Sequence, residues 1–306
     1  MAVTIKAAAL SLPRRGYPAQ TVTLCGEAAR ECLRRAGLRP SDVRTLINTG
    51  VYREHNTFEP AIAAMIQKEA EINLDYLNAD EPRAAFSFDL MNGAGGVLNA
   101  VQVAQALLAG ADDDHVLITA GDVHPSGDAD TDPAYPYTDL GAAFLLGRSD
   151  RDGVGFGPVM VREAPGPSPV AGFLATASMG TSGRERITVR REEGFDEVLL
   201  ALAARTVEEY EEEHAVDLRR CLIVASTPVP GFGDRLAARL RLPSRAVMAV
   251  QPPPPRQGLA HTAAPVLGYL RAVEAPLPPG VEQFLFLTAG AGPSALCASY
   301  RPERDA

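Results

Sequence analysis

The reactive inventory of this 306-residue chain is short: five histidines, four cysteines and one glycine-rich turn, Gly93-Ala94-Gly95-Gly96. Cys25, Cys32, Cys221 and Cys297 are scattered, with no Cys-x-x-Cys pair, so neither a zinc site nor a disulfide framework is indicated. Cys25 and Cys32 fall on one face of a helix-like stretch, and Cys221 and Cys297 in apolar strand-like runs. All four read as small buried hydrophobes. Asp128, Asp130 and Asp132 alternate like the start of a calcium loop, but Pro133 and Asp139 stand where that loop needs Gly and Glu. No metal is assigned. The glycine-rich turn precedes a helix and could cradle a phosphate. It lacks the GxxxxGK[ST] pattern, and no cofactor is assigned. His55 sits in a loop, His115 after an aspartate run, His214 in an acidic helix tail, and His124 in the acidic segment that overhangs the presumed pocket.

The net charge of −9 argues against a nucleic-acid partner and against a polybasic membrane anchor. No apolar run approaches the roughly 20 residues that span a bilayer, and the N-terminus lacks the pattern of a signal peptide. The expectation is a cytoplasmic protein.

Apolar β-branched runs alternate with helical stretches along the whole chain. Strands are expected at 4–12, 46–50, 85–90, 115–120, 142–146, 221–225, 246–250, 283–288 and 295–300. Helices are expected at 21–36, 59–70, 96–108, 197–213, 231–240 and 262–273. The two halves echo one another. Leu-Ile-Asn-Thr-Gly at 46–50 matches Leu-Ile-Val-Ala-Ser at 222–226, and Leu-Ile-Thr-Ala-Gly at 117–121 matches the end of Leu-Phe-Leu-Thr-Ala-Gly at 285–290. Asn92 and Thr119 are 27 apart, as are His261 and Thr288. A repeat of about 170 residues is a duplicated α/β unit rather than a solenoid. The halves are expected to be 1–155 and 156–306, joined by a Gly/Pro-rich linker at 153–169, with an insertion at 122–139 in the first.

The segment from Phe86 to Ala100 resembles the nucleophile turn of the thiolase superfamily, in its β-ketoacyl-acyl-carrier-protein synthase III branch: a strand, Asn92-Gly-Ala-Gly-Gly96, then a helix. Leu46–Arg53, Tyr137-Thr-Asp-Leu-Gly-Ala-Ala143 and Gly290-Ala-Gly292 add to the resemblance, which spans nearly the whole chain. It implies a duplicated, five-layered αβαβα fold. It also implies a dimer in which the strand near His115–Ala120 pairs across the interface. In that branch a cysteine at a helix N-terminus takes the acyl group, its thiol activated by the helix dipole. A histidine and an asparagine then hold the enolate oxygen.

This chain departs from all three. Gly95 stands at the position matched to the cysteine, Ser226 near that of the histidine, and His261 at that of the asparagine. The adenine clamp of the family is missing as well, since the chain has no Trp. His261 remains as an N–H donor for an oxyanion or enolate, and Ser226 and Thr262 are hydroxyls with His261 as their only base, Ser226–His261 being the minimal dyad. Two functions follow. The first is a non-catalytic ketosynthase-like subunit paired with a cysteine-bearing homologue, or with itself, in fatty-acid-like or polyketide-like secondary metabolism. The second is an acyltransferase or malonyl-thioester decarboxylase that uses His261 without an acyl-cysteine. An acyl carrier protein or acyl thioester is the implied partner in either case.

Overall fold

Helix α1 (Thr21–Ala36) shows how the sequence dictates an element. Leu24, Cys25, Ala28, Ala29, Cys32 and Leu33 recur at the helical period and form one buried face. Arg34 and Arg35 lie in the last turn, against the negative end of the helix dipole, and Gly37 ends the helix at φ +67°. The computed structural model describes residues 2–74, 84–110, 114–166, 168, 170–178, 180–253, 258–274, 277–290 and 292–303.

The first sheet contains β1 (Ala2–Ser11), β2 (Thr45–Asn48), β3 (Phe86–Asp89), β4 (His115–Asp122) and β5 (Leu140–Ser149), in the order β1-β5-β4-β2-β3. β2 runs parallel to β3 and β4, while β5 is antiparallel to β1 and β4. The second sheet contains β6 (Gly155–Phe156), β7 (Met160–Glu163), β10 (Cys221–Ala225), β11 (Val247–Ala249), β12 (Gln283–Gly290) and β13 (Ser294–Arg301). β10 is parallel to β11 and β12, and β13 is antiparallel to β12 and β7. The order β7-β13-β12-β10-β11 therefore repeats the order and sense of the first sheet. Between the sheets' sequences lies a separate hairpin, β8 (Val170–Phe173) with β9 (Thr188–Arg191).

Three apolar clusters build five layers. Helices α3 (Gly96–Ala109) and α6 (Ala264–Val273) lie between the sheets, with Val97, Val101 and Leu267 packed among Ile118, Phe144, Phe286 and Tyr300. Helices α1 and α2 (Ile62–Glu69) cover the outer face of the first sheet. Helices α4 (Phe195–His214) and α5 (Phe232–Arg239) cover the outer face of the second. Parallel strands need such crossovers, and both faces of each sheet are thereby dry. No helix among the described residues is long and apolar enough to cross a membrane.

Three expectations change. The stretch read as a linker carries β6 and β7, which pair with β13 and so belong to the second sheet. The strand near 115–120 cannot pair across an interface, because β4 is flanked by β2 on one side and β5 on the other. Among the described residues the edge strands of that sheet are β1 and β3, and on β3 Phe86 is 63% exposed. The repeat register also moves by one. The turn before α3 opens at Gly93 (φ +47°) and the turn before α6 at His261 (φ +42°), each followed by a one-turn 3-10 helix. His261 thus corresponds to Gly93, and Asp122, the last residue of β4, to Gly290, the last of β12. The shared Thr-Ala-Gly string misleads here, since it aligns letters one residue away from the backbone equivalence.

Gly141 belongs to the Tyr137–Ala143 motif for a steric reason. A Cβ there would lie 2.5 Å from the backbone carbon of Leu24 in α1, and backbone cannot yield as a flexible side chain can. Gly141→Ala is expected to cost about 3 kcal/mol, the upper end for overpacking, read from chemical denaturation. An unchanged midpoint would show that α1 does not sit this close to β5.

Candidate functional site

Asp122 ends β4 and is fully buried between the halves. Its Oδ1 accepts the backbone N–H groups of Val51 (3.0 Å) and Tyr52 (2.9 Å) from the first half. Its Oδ2 accepts from the second half: His261 Nδ1 lies at 2.9 Å, Thr262 N at 3.2 Å and Thr262 Oγ1 at 2.6 Å. Burial alone would raise this carboxyl, but the His261 ring and these donors outweigh it and hold it down at about 2. The sequence reading treated Asp122 as the first residue of an insertion. No local pattern marks it, because its partners lie 139 and 140 residues away.

His261 is pinned from three sides. Its positive φ is costly for a residue with a Cβ. The bond to Asp122 holds Nδ1, and Tyr137 stacks on the ring at 4.1 Å between centroids. Nε2 faces the opposite turn, 3.3 Å from where a Cβ on Gly93 would stand. The donor and its aspartate have the arrangement of a general acid–base pair.

Position 95 points elsewhere. A Cβ on Gly95 would meet Leu296 Cδ1 at 2.7 Å and Asn92 Nδ2 at 3.1 Å, so a side chain there turns into β13 and away from His261. Residue 94 turns toward the site. Ala94 lines a cavity with Ser226, His261, Ala289 and Gly290, and a Cβ on Gly290 would lie 3.1 Å from the Ala94 Cβ. The reading of Gly95 as the position matched to the cysteine is therefore displaced by one residue. Adjacent glycines leave the register open in the sequence, and only the direction of each Cα substituent decides it.

Ser226 follows β10 and lines the same cavity, but its hydroxyl is engaged by backbone. Its Oγ accepts Ala289 N–H at 2.9 Å and lies 3.4 Å from Ala289 O. No hydrogen bond joins it to His261, so the minimal dyad does not form. Thr262 spends its hydroxyl on Asp122. The four thiols are buried, and burial pushes Cys221 up to about 11 and Cys32 up to about 12, which keeps both protonated. His124 lies in a different cavity, and the aspartates around it cap turns: Asp128 accepts Asp130 N–H and Asp132 accepts Ala134 N–H.

The room beside Ala94 is small. The cavity measures about 20 Å³, space for one water molecule. Tyr137, Arg191 at the end of β9 and Phe195 at the start of α4 wall it in, the Arg191 guanidinium lying 5.6 Å from the Phe195 ring centre.

No family model matches the chain, and no curated protein matches it either. Solved structures match over almost the full length. OleA of Xanthomonas campestris, with bound lauric acid and lauroyl-CoA, has a TM-score of 0.76 at 16% identity, covering 98% of this chain and 99% of that one. The 3-oxoacyl-(acyl carrier protein) synthase III of Pseudomonas aeruginosa has a TM-score of 0.76 at 14% identity, covering 100% of both chains. The tetronic acid condensing enzyme AbyA1 has a TM-score of 0.73 at 16% identity, covering 97% of this chain and 98% of that one. The fold is thiolase-like, as these neighbours are.

A carboxyl held at about 2, below its ordinary 3.8, adds stability that is complete above the ordinary value and is lost as pH falls through the lower one. Urea unfolding of the native chain is expected to lose about 2 kcal/mol from this group between about pH 4 and pH 2. Asp122→Asn is expected to cost about 3 kcal/mol near neutral pH and to lack that acid-dependent part. Identical pH profiles for the two proteins would remove Asp122 from its role.

Proposed function

We propose that this chain is a ketosynthase III-like subunit that holds no acyl group covalently and completes or shapes the acyl pocket of a cysteine-bearing homologue. The setting is fatty-acid-type or polyketide-type secondary metabolism, with acyl thioesters, on carrier protein or free, delivered to the partner. One observation carries the reading. The residue that faces the site at the start of the central helix is Ala94, and the space beside it admits a single water. A thioester needs a sulfur at that point and a cleft for its chain, and among the described residues Ala94 brings no sulfur and the cavity beside it is too small for a chain. The same reading keeps the two duplicated halves expected at 1–155 and 156–306, with the cut moved to just before Gly155 because β6 pairs with β13.

The surface for the partner is the outer edge of β3, which among the described residues pairs only with β2. Phe86 on β3 and Met91 just after it are exposed at 63% and 52%. A sheet edge with apolar side chains is a template for another strand. A second copy of this chain fits the same edge.

Intact-mass measurement after incubation with acetyl, malonyl and lauroyl thioesters is expected to show unmodified protein. An adduct on the peptide containing residues 92–96 would overturn the proposal. Co-expression with a cysteine-bearing homologue is expected to yield one complex, weakened about tenfold or more by Phe86→Lys. A homodimer that turns over malonyl thioesters alone would count against it.

The Asp122–His261 pair favours a second reading, acyl transfer or malonyl decarboxylation with His261 as the acid or oxyanion donor. Under that reading His261→Ala lowers turnover of a malonyl thioester at least 100-fold, roughly the worth of one such donor. Turnover that survives the substitution eliminates it.

A further inference from the structure

The turn Glu54–Asn56 takes an unusual backbone path. His55 and Asn56 stand at φ +54° and +48°, in the left-handed region that is costly for a residue with a Cβ. Asn tolerates it better than most. The turn is tied to the body on one side. His55 N–H donates to Pro125 O at 2.8 Å, and Glu54 Oε2 accepts the N–H of Thr21, the first residue of α1, at 2.8 Å. The Asn56 side chain serves a different segment. Its Nδ2 donates to Arg184 O and to Arg186 O, both at 2.9 Å. Two carbonyls can be met only by the NH₂ end of the amide.

Those two bonds hold a segment that has few others. The 3-10 turn Gly180–Glu185 and the residues leading into β9 lie outside both large sheets. Arg184, Glu185 and Arg186 are exposed. Among the described residues, no other hydrogen bond ties 183–186 to the rest of the chain. Beside this segment lies a cavity of about 610 Å³. Glu185, Arg186 and Ile187 wall it on one side, and Ser126, Thr131 and Asp132 of the β4–β5 connection on the other. The bonds of that connection stay within it: Ser126 meets Thr131, and Asp132 accepts Ala134 N–H. A wall that is exposed, sparsely bonded and next to open space belongs to the low end of local stability.

We propose that Asn56 is the latch of a strap, residues 180–187, that sets access to this cavity. With both bonds made, the strap is held against the Glu54–Asn56 turn. With both broken, it swings on Gly180 and the mouth of the cavity widens. Gly180 suits a hinge: its φ is +54°, and a Cβ there would meet nothing within 4 Å. The left-handed turn suits a latch, because its anchored side fixes where the amide is presented and the strained backbone persists only where such bonds over-determine it. The device stands apart from the acyl-site reading and uses none of its residues.

Two variants of the full chain separate the amide from the backbone. Asn56→Asp sets a carboxylate oxygen against the two carbonyls, and Asn56→Gly removes the amide while favouring the same backbone. Both are expected to speed tryptic cleavage after Arg184 and Arg186 about tenfold, since losing two bonds raises the open population by about that factor. Hydrogen exchange read by mass spectrometry is expected to quicken about as much in peptides covering 183–187 and to stay unchanged in α1. Ile187→Cys places a thiol on the cavity wall of a chain whose own four thiols are buried. Its modification by a thiol reagent is expected to be about tenfold faster when Asn56→Asp is added. Cleavage of Asn56→Gly at the native rate shows that the backbone turn alone holds the strap, and overturns the latch. Exchange that quickens equally in α1 overturns it as global loosening, and so does an equal thiol rate with and without Asn56→Asp.

Discussion

A single buried carboxylate ties the two halves of this molecule together. Asp122 takes donors from Val51 and Tyr52 on one side and from His261 and Thr262 on the other, and each of its oxygens is saturated. A charge so far from water is tolerable only because these groups replace its hydration. The constraint propagates outward. The turn before α6 must stay where Thr262 reaches Oδ2, His261 must keep its left-handed backbone, and Tyr137 must lie flat on the ring.

The internal duplication sharpens what is present on one side and absent on the other. Asp122 meets Thr262 at the end of β4, and the corresponding pair at the end of β12 is Gly290 against Ala94. The first pair is polar and filled. The second is a methyl group beside a bare backbone, with room for one water. The two turns are built alike, since α3 enters its helix as α6 does. Under the proposed function, the atom that would do the chemistry is missing at Ala94. A fold does not carry an activity by itself, and the proposed function rests on what stands at residue 94.

The segment 122–139 contributes most of what distinguishes the first half from the second. Its start supplies the bridging carboxylate and its end supplies Tyr137, which roofs His261. Its last residue, Asp139, fixes the loop by accepting the N–H groups of His124 and Ala129. The aspartates that alternate along it are spent on backbone turns, a common use of Asp in loops. Among the described residues of this segment, His124 Nε2 and the Tyr135 hydroxyl are buried without a hydrogen-bond partner.

Periodicity alone placed the elements well: α1 was expected at 21–36 and runs from Thr21 to Ala36, and β10 was expected at 221–225 and runs from Cys221 to Ala225. Such patterns are local, because burial on one face imposes a fixed spacing on neighbouring residues. The duplication was legible for the same reason, as repeated apolar strings at matching distances. The site was not. Whether residue 94 or 95 faces the cavity depends on a backbone direction that two adjacent glycines do not encode. Asp122 gains its meaning from partners 139 and 140 residues on, and the Ser226 hydroxyl is taken by a strand 63 residues away. Sequence determined the layers, since these follow from short-range apolar spacing. Only the tertiary structure decided which polar groups meet, because hydrogen bonds between distant segments depend on positions that no local pattern carries.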